Sequence, residues 1–328
     1  MARSMRLAAI DIGTVTARLL VADVSSLGIS EVTRSTDITH LGEDLGATGR
    51  LSQAAMGRVA GVIERYVATI GQLGVEHVTA LATSASRDAE NSAEFLALLG
   101  RNGVTPVVIP GEREARLSFA GATSGMDPTD GVLVVDLGGG STELVLGDLT
   151  VCNGIRSTEI VRARSIDVGS KRATERFLHS DPPSTDELAD AGEWATVQLR
   201  PYFDGLRERP QLMVAVAGTA TTLSSILQQL AVYDPAQVHG SCLTGSELAD
   251  LTEMLSAMTL EERKQVVGLD PGRAPVIVAG ALIMETVVAL AGLDSTLVSD
   301  HDILYGILLD TYRELQQGDA ATKTSPAG

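Results

Sequence analysis

The chain has 328 residues, room for one large domain or two, and its 44% hydrophobic and 20% charged residues are those of a folded globular protein. A formal charge of −17 excludes a protein that coats DNA or RNA, which needs many basic phosphate contacts. Cys152 and Cys242 make no disulfide framework and no zinc spacing, and Asp11 interrupts the N-terminal apolar run. A reducing, cytoplasmic location without signal peptide or membrane span is therefore expected.

Residues 6–12, 18–24 and 29–35 read as strands, with Gly28 at a turn. Ser52 is placed to cap a helix reaching Leu73, with Met56, Val59, Val62, Ile63, Tyr66, Val67 and Ile70 on one face. A strand over 78–82, a helix over 93–99, a strand over 104–109 and a helix over 112–122 follow. The turn-rich segment Ser124–Gly131 marks a boundary. Beyond it, 132–136, 143–146 and 160–166 read as strands and 169–178 as a helix. A helix then runs from the Asp181–Asp186 loop to about Phe203. The apolar run 212–217 is a buried strand, and helices are expected over 219–230, 245–257, 260–265, 273–290 and 302–315. The tail 316–328 reads as disordered.

Ala8–Thr14 (AAIDIGT) and Val134–Thr142 (VVDLGGGST) echo one another, each an apolar strand, an Asp, a Gly turn and a hydroxyl residue. The period is domain-sized, too long for a solenoid. The expected fold is α/β: two related lobes, 1–125 and 126–299, facing each other across a cleft. Helix 300–315 completes the first, because Ile303, Leu304, Ile307, Leu308 and Tyr312 make an apolar face that needs cover.

Five segments can carry chemistry. Asp11–Gly13–Thr14–Thr16 exposes backbone donors to an anion and a carboxylate to a hydrated cation; a turn-capping Asp is the plain alternative. Asp136–Glu143 (DLGGGSTE) is more specific, since three consecutive glycines beside a buried strand imply unusual dihedrals or close backbone approach. The amides of Gly138, Gly139 and Gly140, with the Ser141 and Thr142 hydroxyls, suit phosphate oxygens. Asp136 and Glu143 suit magnesium, whereas a flexible hairpin is the competing reading. In Ala82–Arg87 (ATSASR), Arg87 offers a planar fork for phosphate, or simply follows a helix cap. In Gly111–Arg116 (GEREAR), Glu114 is either a general base or a first-turn acid that stabilises its helix. Gly218 and Thr219, in GTATT, form a second anion corner, with helix capping by Thr219 compatible with that role. His239 and His301 are too scattered in sequence to propose a metal site, and His40, His77 and His179 read as surface or cap residues.

With these motifs the chain resembles the exopolyphosphatase and guanosine pentaphosphate phosphatase family, within the actin-like, sugar-kinase-like ATPase superfamily. The resemblance covers about residues 5–312 and adds Val238–His239–Gly240, Glu262–Arg263, Gly268–Leu269 with Arg273–Ala274, and Val298–Ser299–Asp300 with Gly306. It implies two ribonuclease-H-like lobes and a magnesium-dependent hydrolase, with manganese as the alternative ion. Glu114 then resembles the base that activates water, and Asp136, Glu143 and Asp11 resemble metal-site acids. Thr14, Thr16, Arg87, Gly138, Gly139, Gly140, Ser141, Thr142, Gly218 and Thr219 match phosphate-binding positions. The family commonly reads D-x-G-S-N-S in the first loop, so Val15 removes a side-chain amide. It also commonly carries a pair of glutamates where this chain has Arg113–Glu114.

The implied activity is release of the terminal phosphate from inorganic polyphosphate. Short to medium chains are expected, since longer relatives append a C-terminal helical domain that this sequence does not reach. The same chemistry on guanosine pentaphosphate, a non-hydrolytic phosphate or nucleotide sensor, and a structural scaffold are the alternatives. A homodimer is implied by the resemblance.

Overall fold

The strand β1 (Met5–Ile12) is buried on both faces, which is why its sequence is a nearly unbroken apolar run. In the computed structural model, which describes residues 4–43, 45–152 and 155–323, β1 is the central strand of a five-stranded sheet. The chain continues through β2 (Thr16–Ser25), β3 (Gly28–Ile38), α1 (Leu45–Thr48) and α2 (Gln53–Gln72). After these come β4 (His77–Ala82), α3 (Ser84–Asp88), α4 (Ser92–Arg101), β5 (Val107–Val108) and α5 (Gly111–Ala122). The sheet order is β3-β2-β1-β4-β5, with β1, β4 and β5 parallel and β2 running antiparallel to both β1 and β3. Ser52 does cap α2, accepting from the Ala55 amide at 3.1 Å.

A six-stranded sheet organises the residues that follow. It contains β6 (Thr129–Leu137), β7 (Thr142–Cys152) and β8 (Ile155–Ile166), then α6 (Ser170–Phe177) and α7 (Thr185–Asp204). Next are β9 (Leu212–Val216), α8 (Ala217–Leu227), α9 (Pro235–Val238), β10 (Cys242–Thr244), α10 (Gly245–Ser256) and α11 (Leu260–Arg263). The set closes with α12 (Ile277–Ala291) and β11 (Ser295–Val298). Read from β8, the order β8-β7-β6-β9-β11 repeats the topology of the first sheet, and β10 is added at the edge. A sandwich of apolar side chains from β6, β7 and β9 with α7, α8, α10 and α12 forms its core.

The final helix, α13 (Ile303–Lys323), returns to the first sheet. The chain thus divides into two units, Met1–Gly125 with Ile303–Gly328, and Met126–Asp302. Ile303, Leu304, Ile307 and Leu308 of α13 join Leu7, Ala9, Leu20 and Leu117 in one apolar cluster. α2 and α4 cover the opposite face of that sheet.

Some boundaries differ from the sequence reading. The helix expected to stop at Leu315 continues through Lys323, because residues 315–323 contain no proline and several strong helix formers. That corrects the disordered tail for residues 316–323; residues 324–328 lie outside the described residues. The strand expected over 143–146 extends to Cys152, held between β6 and β8. Helix α12 starts at Ile277 rather than Arg273, after a turn in which the Arg273 amide bonds the Asp270 carbonyl. Strands β10 and β11 span three and four residues, too few to show a period.

Gly306 sits where α13 crosses α5, and a Cβ there would overlap the Leu117 carbonyl. Overlap with backbone cannot be relieved by a rotamer change, so the helices must part. Gly306→Ala is expected to lower stability by about 1–3 kcal/mol, the usual cost of overpacking. Urea unfolding followed by circular dichroism checks this, and an unchanged midpoint would contradict the packing.

Candidate active site

Because β1, β4 and β5 are parallel, the segments leaving their C-terminal ends share one edge of the first sheet, where ligands of open α/β sheets bind. Those segments are the three motifs of this unit. In the turn after β1, the Gly13 amide bonds the Thr16 carbonyl at 2.9 Å. The exposed Thr14 hydroxyl lies 2.8 Å from that of Ser84, which begins α3 after β4. Three residues further in α3, Arg87 Nη1 donates to the Ile109 carbonyl at 3.0 Å and to Glu114 Oε2 at 3.2 Å. Glu114 is in the first turn of α5, with its side chain 25% exposed. Thr14, Arg87 and Glu114, far apart in sequence, thus converge. Thr16 stands half-buried at the start of β2, with its carbonyl holding the turn.

Asp11 is different. Its side chain is 4% exposed, and Arg18 Nη2 donates to its Oδ2 at 2.6 Å. Arg18 lies directly opposite Asp11 in the antiparallel β1–β2 ladder. An aspartate engaged by a guanidinium has its charge balanced within the unit, and the structure shows Asp11, expected as a metal-site acid, as the buried partner of an ion pair.

In the second unit, the same 125-residue step leads from Asp11 to Asp136 and from Arg18 to Glu143, which again lie opposite one another. Directly opposed residues of an antiparallel pair share a face, with Cβ atoms about 5 Å apart, and like charges there are unfavourable. Two adjacent carboxylates at a strand end beside an amide-rich loop fit a divalent cation, which takes one or two acids and completes its shell with water and phosphate oxygens. No cluster of three or more His, Cys, Asp or Glu side chains suited to a metal occurs among the described residues. Glu143 Oε1 also accepts from the Ser165 hydroxyl at 2.5 Å, which fixes its orientation.

Between these acids, the Gly138 amide bonds the Ser141 carbonyl at 3.0 Å, the same closure as in the Gly13 turn. The carbonyls of Gly138, Gly139 and Gly140 all accept from the start of α6. The Ser170 amide reaches Gly138 at 3.0 Å, the Arg172 amide reaches Gly139 at 3.0 Å, and Arg172 Nε reaches Gly140 at 2.9 Å. A Cβ on Gly169 would approach the Gly139 and Gly140 backbone to within 2.6 Å, so glycine is required for this contact. With its carbonyls held from behind, the loop offers an anion its amide side. Thr142 does not add to it. Its side chain is fully buried and donates to the Val168 carbonyl at 2.6 Å, correcting the expectation of a phosphate-binding hydroxyl.

Parallel pairing of β9 with β6 brings Gly218 and Thr219 to the same edge as the glycine loop. Ala217, between strand and helix, has φ +66, a left-handed conformation that strains a residue with a Cβ. The Thr219 hydroxyl is buried, 3.5 Å from the Leu137 carbonyl, so only its amide can serve an anion. The Arg273 guanidinium lies on Gly218, and any Cβ there would overlap it. Its sequence neighbours give no hint of this placement. At the end of β11, the His239 and His301 rings stack with centroids 3.9 Å apart, although 62 positions separate them. Burial lowers the His239 pKa below the ordinary imidazole value, and Asp300 acts in the opposite sense.

The model of the Ppx/GppA phosphatase family matches residues 20–313. The chain belongs to this family. Exopolyphosphatase 2 of Mycobacterium tuberculosis is 39% identical over 321 residues, covering 93% of this chain and 98% of that protein. Exopolyphosphatase 1 of Mycobacterium leprae is 29% identical over 98% of this chain and 94% of its own length. The crystal structure of the Aquifex aeolicus Ppx/GppA family member superposes with a TM-score of 0.82 at 30% identity, covering 95% of this chain and 99% of that one. The fold is therefore that of the Ppx/GppA proteins, two actin-like α/β units.

The ion pair at Asp11 has a measurable consequence. Asp11→Asn leaves Arg18 without its partner and should cost about 3 kcal/mol, the lower end for a buried pair because Arg18 is 21% exposed. Added magnesium should not restore that loss. Denaturant midpoints with and without magnesium check both points, and recovery of stability with magnesium would return Asp11 to the metal site.

Proposed function

We propose that this Ppx/GppA family member is an exopolyphosphatase that hydrolyses the terminal phosphoanhydride of polyphosphate. The observation that carries the reading is the Arg87–Glu114 pair at 3.2 Å, a carboxylate held by a guanidinium at the ligand-binding edge of its sheet. Glu114 takes a proton from water, the water oxygen forms a bond to the terminal phosphorus, and the anhydride P–O bond breaks. Orthophosphate leaves with a chain one unit shorter. Arg87 Nη1 fixes Glu114, and the other edge of its planar fork meets phosphate oxygens. In the second unit, the amides of the Gly138–Ser141 loop and the Gly218–Thr219 corner, with Arg273, suit the negative charge of phosphate oxygens. Asp136 and Glu143 would hold magnesium, or manganese, which when bound supplies further neutralisation of phosphate oxygens.

The mycobacterial relative named exopolyphosphatase supports polyphosphate as the substrate. Guanosine pentaphosphate presents the same terminal anhydride and is the second substrate to test. A chain with only 25 Lys and Arg against 42 Asp and Glu has few cations from which to build a long basic track, which favours short to medium chains. Cytoplasmic residence and a homodimer belong to the same proposal. Among the described residues no helix is long and apolar enough to cross a membrane, and light scattering tests the dimer.

The deciding experiment measures phosphate release, with magnesium, from medium-chain polyphosphate, tripolyphosphate and guanosine pentaphosphate. Polyphosphate should be turned over with the highest kcat/KM; release from guanosine pentaphosphate alone would reassign the substrate, and none at all would defeat the hydrolase reading.

Variants separate the roles. Glu114→Gln should lower kcat by about 10²–10⁴-fold with little change in melting temperature, the range of positioned general-base catalysis. Asp136→Asn and Glu143→Gln should also lose turnover, but part should return at high magnesium. Retention of more than about a third of kcat by Glu114→Gln would remove it from the base role. Turnover against magnesium concentration for the three variants reads both outcomes.

A further inference from the structure

A run of three glycines has more backbone freedom than any other tripeptide, so its amides face an anion only if something holds its carbonyls. The two units solve this differently. In the first, the Thr14 carbonyl accepts from the Gly42 amide at 2.8 Å, and the Val15 carbonyl accepts from the Thr39 and His40 amides at 2.8 and 2.9 Å. The donors are backbone amides, with the Thr39 hydroxyl adding a longer bond to the Val15 carbonyl at 3.4 Å. In the second, Gly139 is the counterpart of Thr14, and its carbonyl accepts from a backbone amide, that of Arg172. Gly140 is the counterpart of Val15, and its carbonyl is met by a side chain, Arg172 Nε at 2.9 Å. Asp167 Oδ1, 3.6 Å from Arg172 Nη2, steadies the far edge of the same guanidinium.

We infer that Arg172 is a positioning residue that sets the orientation of the Gly139–Ser141 amides through its bond to the Gly140 carbonyl. The peptide joining Gly140 to Ser141 carries that carbonyl on one side and the Ser141 amide on the other. Holding the carbonyl toward α6 turns the amide away from it. Neighbouring contacts do not replace this bond, because Ser170 reaches only Gly138, through its amide and its hydroxyl. Lys171 lies beside the loop as well, but its ammonium faces Glu175 at 3.7 Å, and no hydrogen bond from it to a loop carbonyl is present. Arg172 therefore works through geometry, and Lys171 provides a charge-matched neighbour without that geometry.

The consequence rests on the hydrolase reading, in which these amides stabilise charge that develops during the reaction. Arg172→Met keeps the backbone bond to Gly139 and the aliphatic stem but loses the donor to Gly140. Its kcat on medium-chain polyphosphate should fall about 10- to 100-fold, as expected for misplaced catalytic groups, with KM changed less than about threefold. The deficit should be the same at low and high salt. Arg172→Lys, which retains a donor, should recover part of it, and Lys171→Gln should stay near wild type. Hydrogen exchange of the Gly139–Ser141 amides, measured without substrate, should quicken in Arg172→Met while the melting temperature holds. Should Arg172→Met not fold, exchange and kcat in Arg172→Lys carry the test, with intermediate values expected.

A kcat above half of wild type, or a loss confined to KM that fades with salt, would overturn the positioning role in favour of plain attraction of the polyanion. Unchanged exchange would overturn it too. If the wild-type protein releases no phosphate from any substrate, the hydrolase reading fails. Exchange alone then decides whether Arg172 orients the loop.

Discussion

Antiparallel pairing forces directly opposed residues onto one face of a sheet, and both units place an aspartate at the end of their central strand. What stands opposite that aspartate therefore sets the electrostatics of the whole loop. Arg18 opposite Asp11 closes the charge within the first unit. Glu143 opposite Asp136 doubles it in the second. A single cross-strand position thus gives one repeated framework a charge-balanced aspartate in the first unit and two opposed carboxylates in the second.

The repeated framework extends to hydrogen-bond detail. The Gly13–Thr16 and Gly138–Ser141 turns close with the same bond, at 2.9 and 3.0 Å, and both sheets follow the same strand order. Shared topology with divergent loops is the expected pattern when strand packing limits the scaffold and chemistry resides in the connections. Glu114 fits this division of labour. It lies in a first helical turn, where an acid is stabilising in any case, and Arg87 adds the specific contact that a surface acid lacks.

Much of this was legible in the sequence because the informative signals are local. The apolar runs of β1, β6 and β9, the Ser52 cap and the spacing of the two Asp-Gly motifs depend only on neighbouring residues. The exposure of Arg87 and Glu114 at one sheet edge followed from the motifs that end their strands. Contacts made at long range were not legible. Arg273 over Gly218, Arg172 against Gly140 and the His239–His301 stack join residues 32 to 62 positions apart. No period or spacing encodes them. Thr142 was misjudged for a related reason, since a hydroxyl in a phosphate-like motif looks the same whether it faces an anion or a buried carbonyl.

A net charge of −17 is ill suited to the polyanionic substrate proposed above, yet charge acts over the Debye length, about 8 Å at physiological ionic strength. Beyond that distance surface carboxylates are screened, so the few angstroms around the anion decide binding. Within that range, amides with their carbonyls turned away present partial positive charge that needs no counterion and loses no rotamer entropy. The Arg87 guanidinium in the first unit and that of Arg273 in the second add full charges beside their own loops. On the proposed exopolyphosphatase reading, the acidic surface adds selectivity, because a polyphosphate lying against its carboxylates meets repulsion. Discrimination in favour of the chain terminus would then follow from an unfavourable surface as much as from a favourable loop.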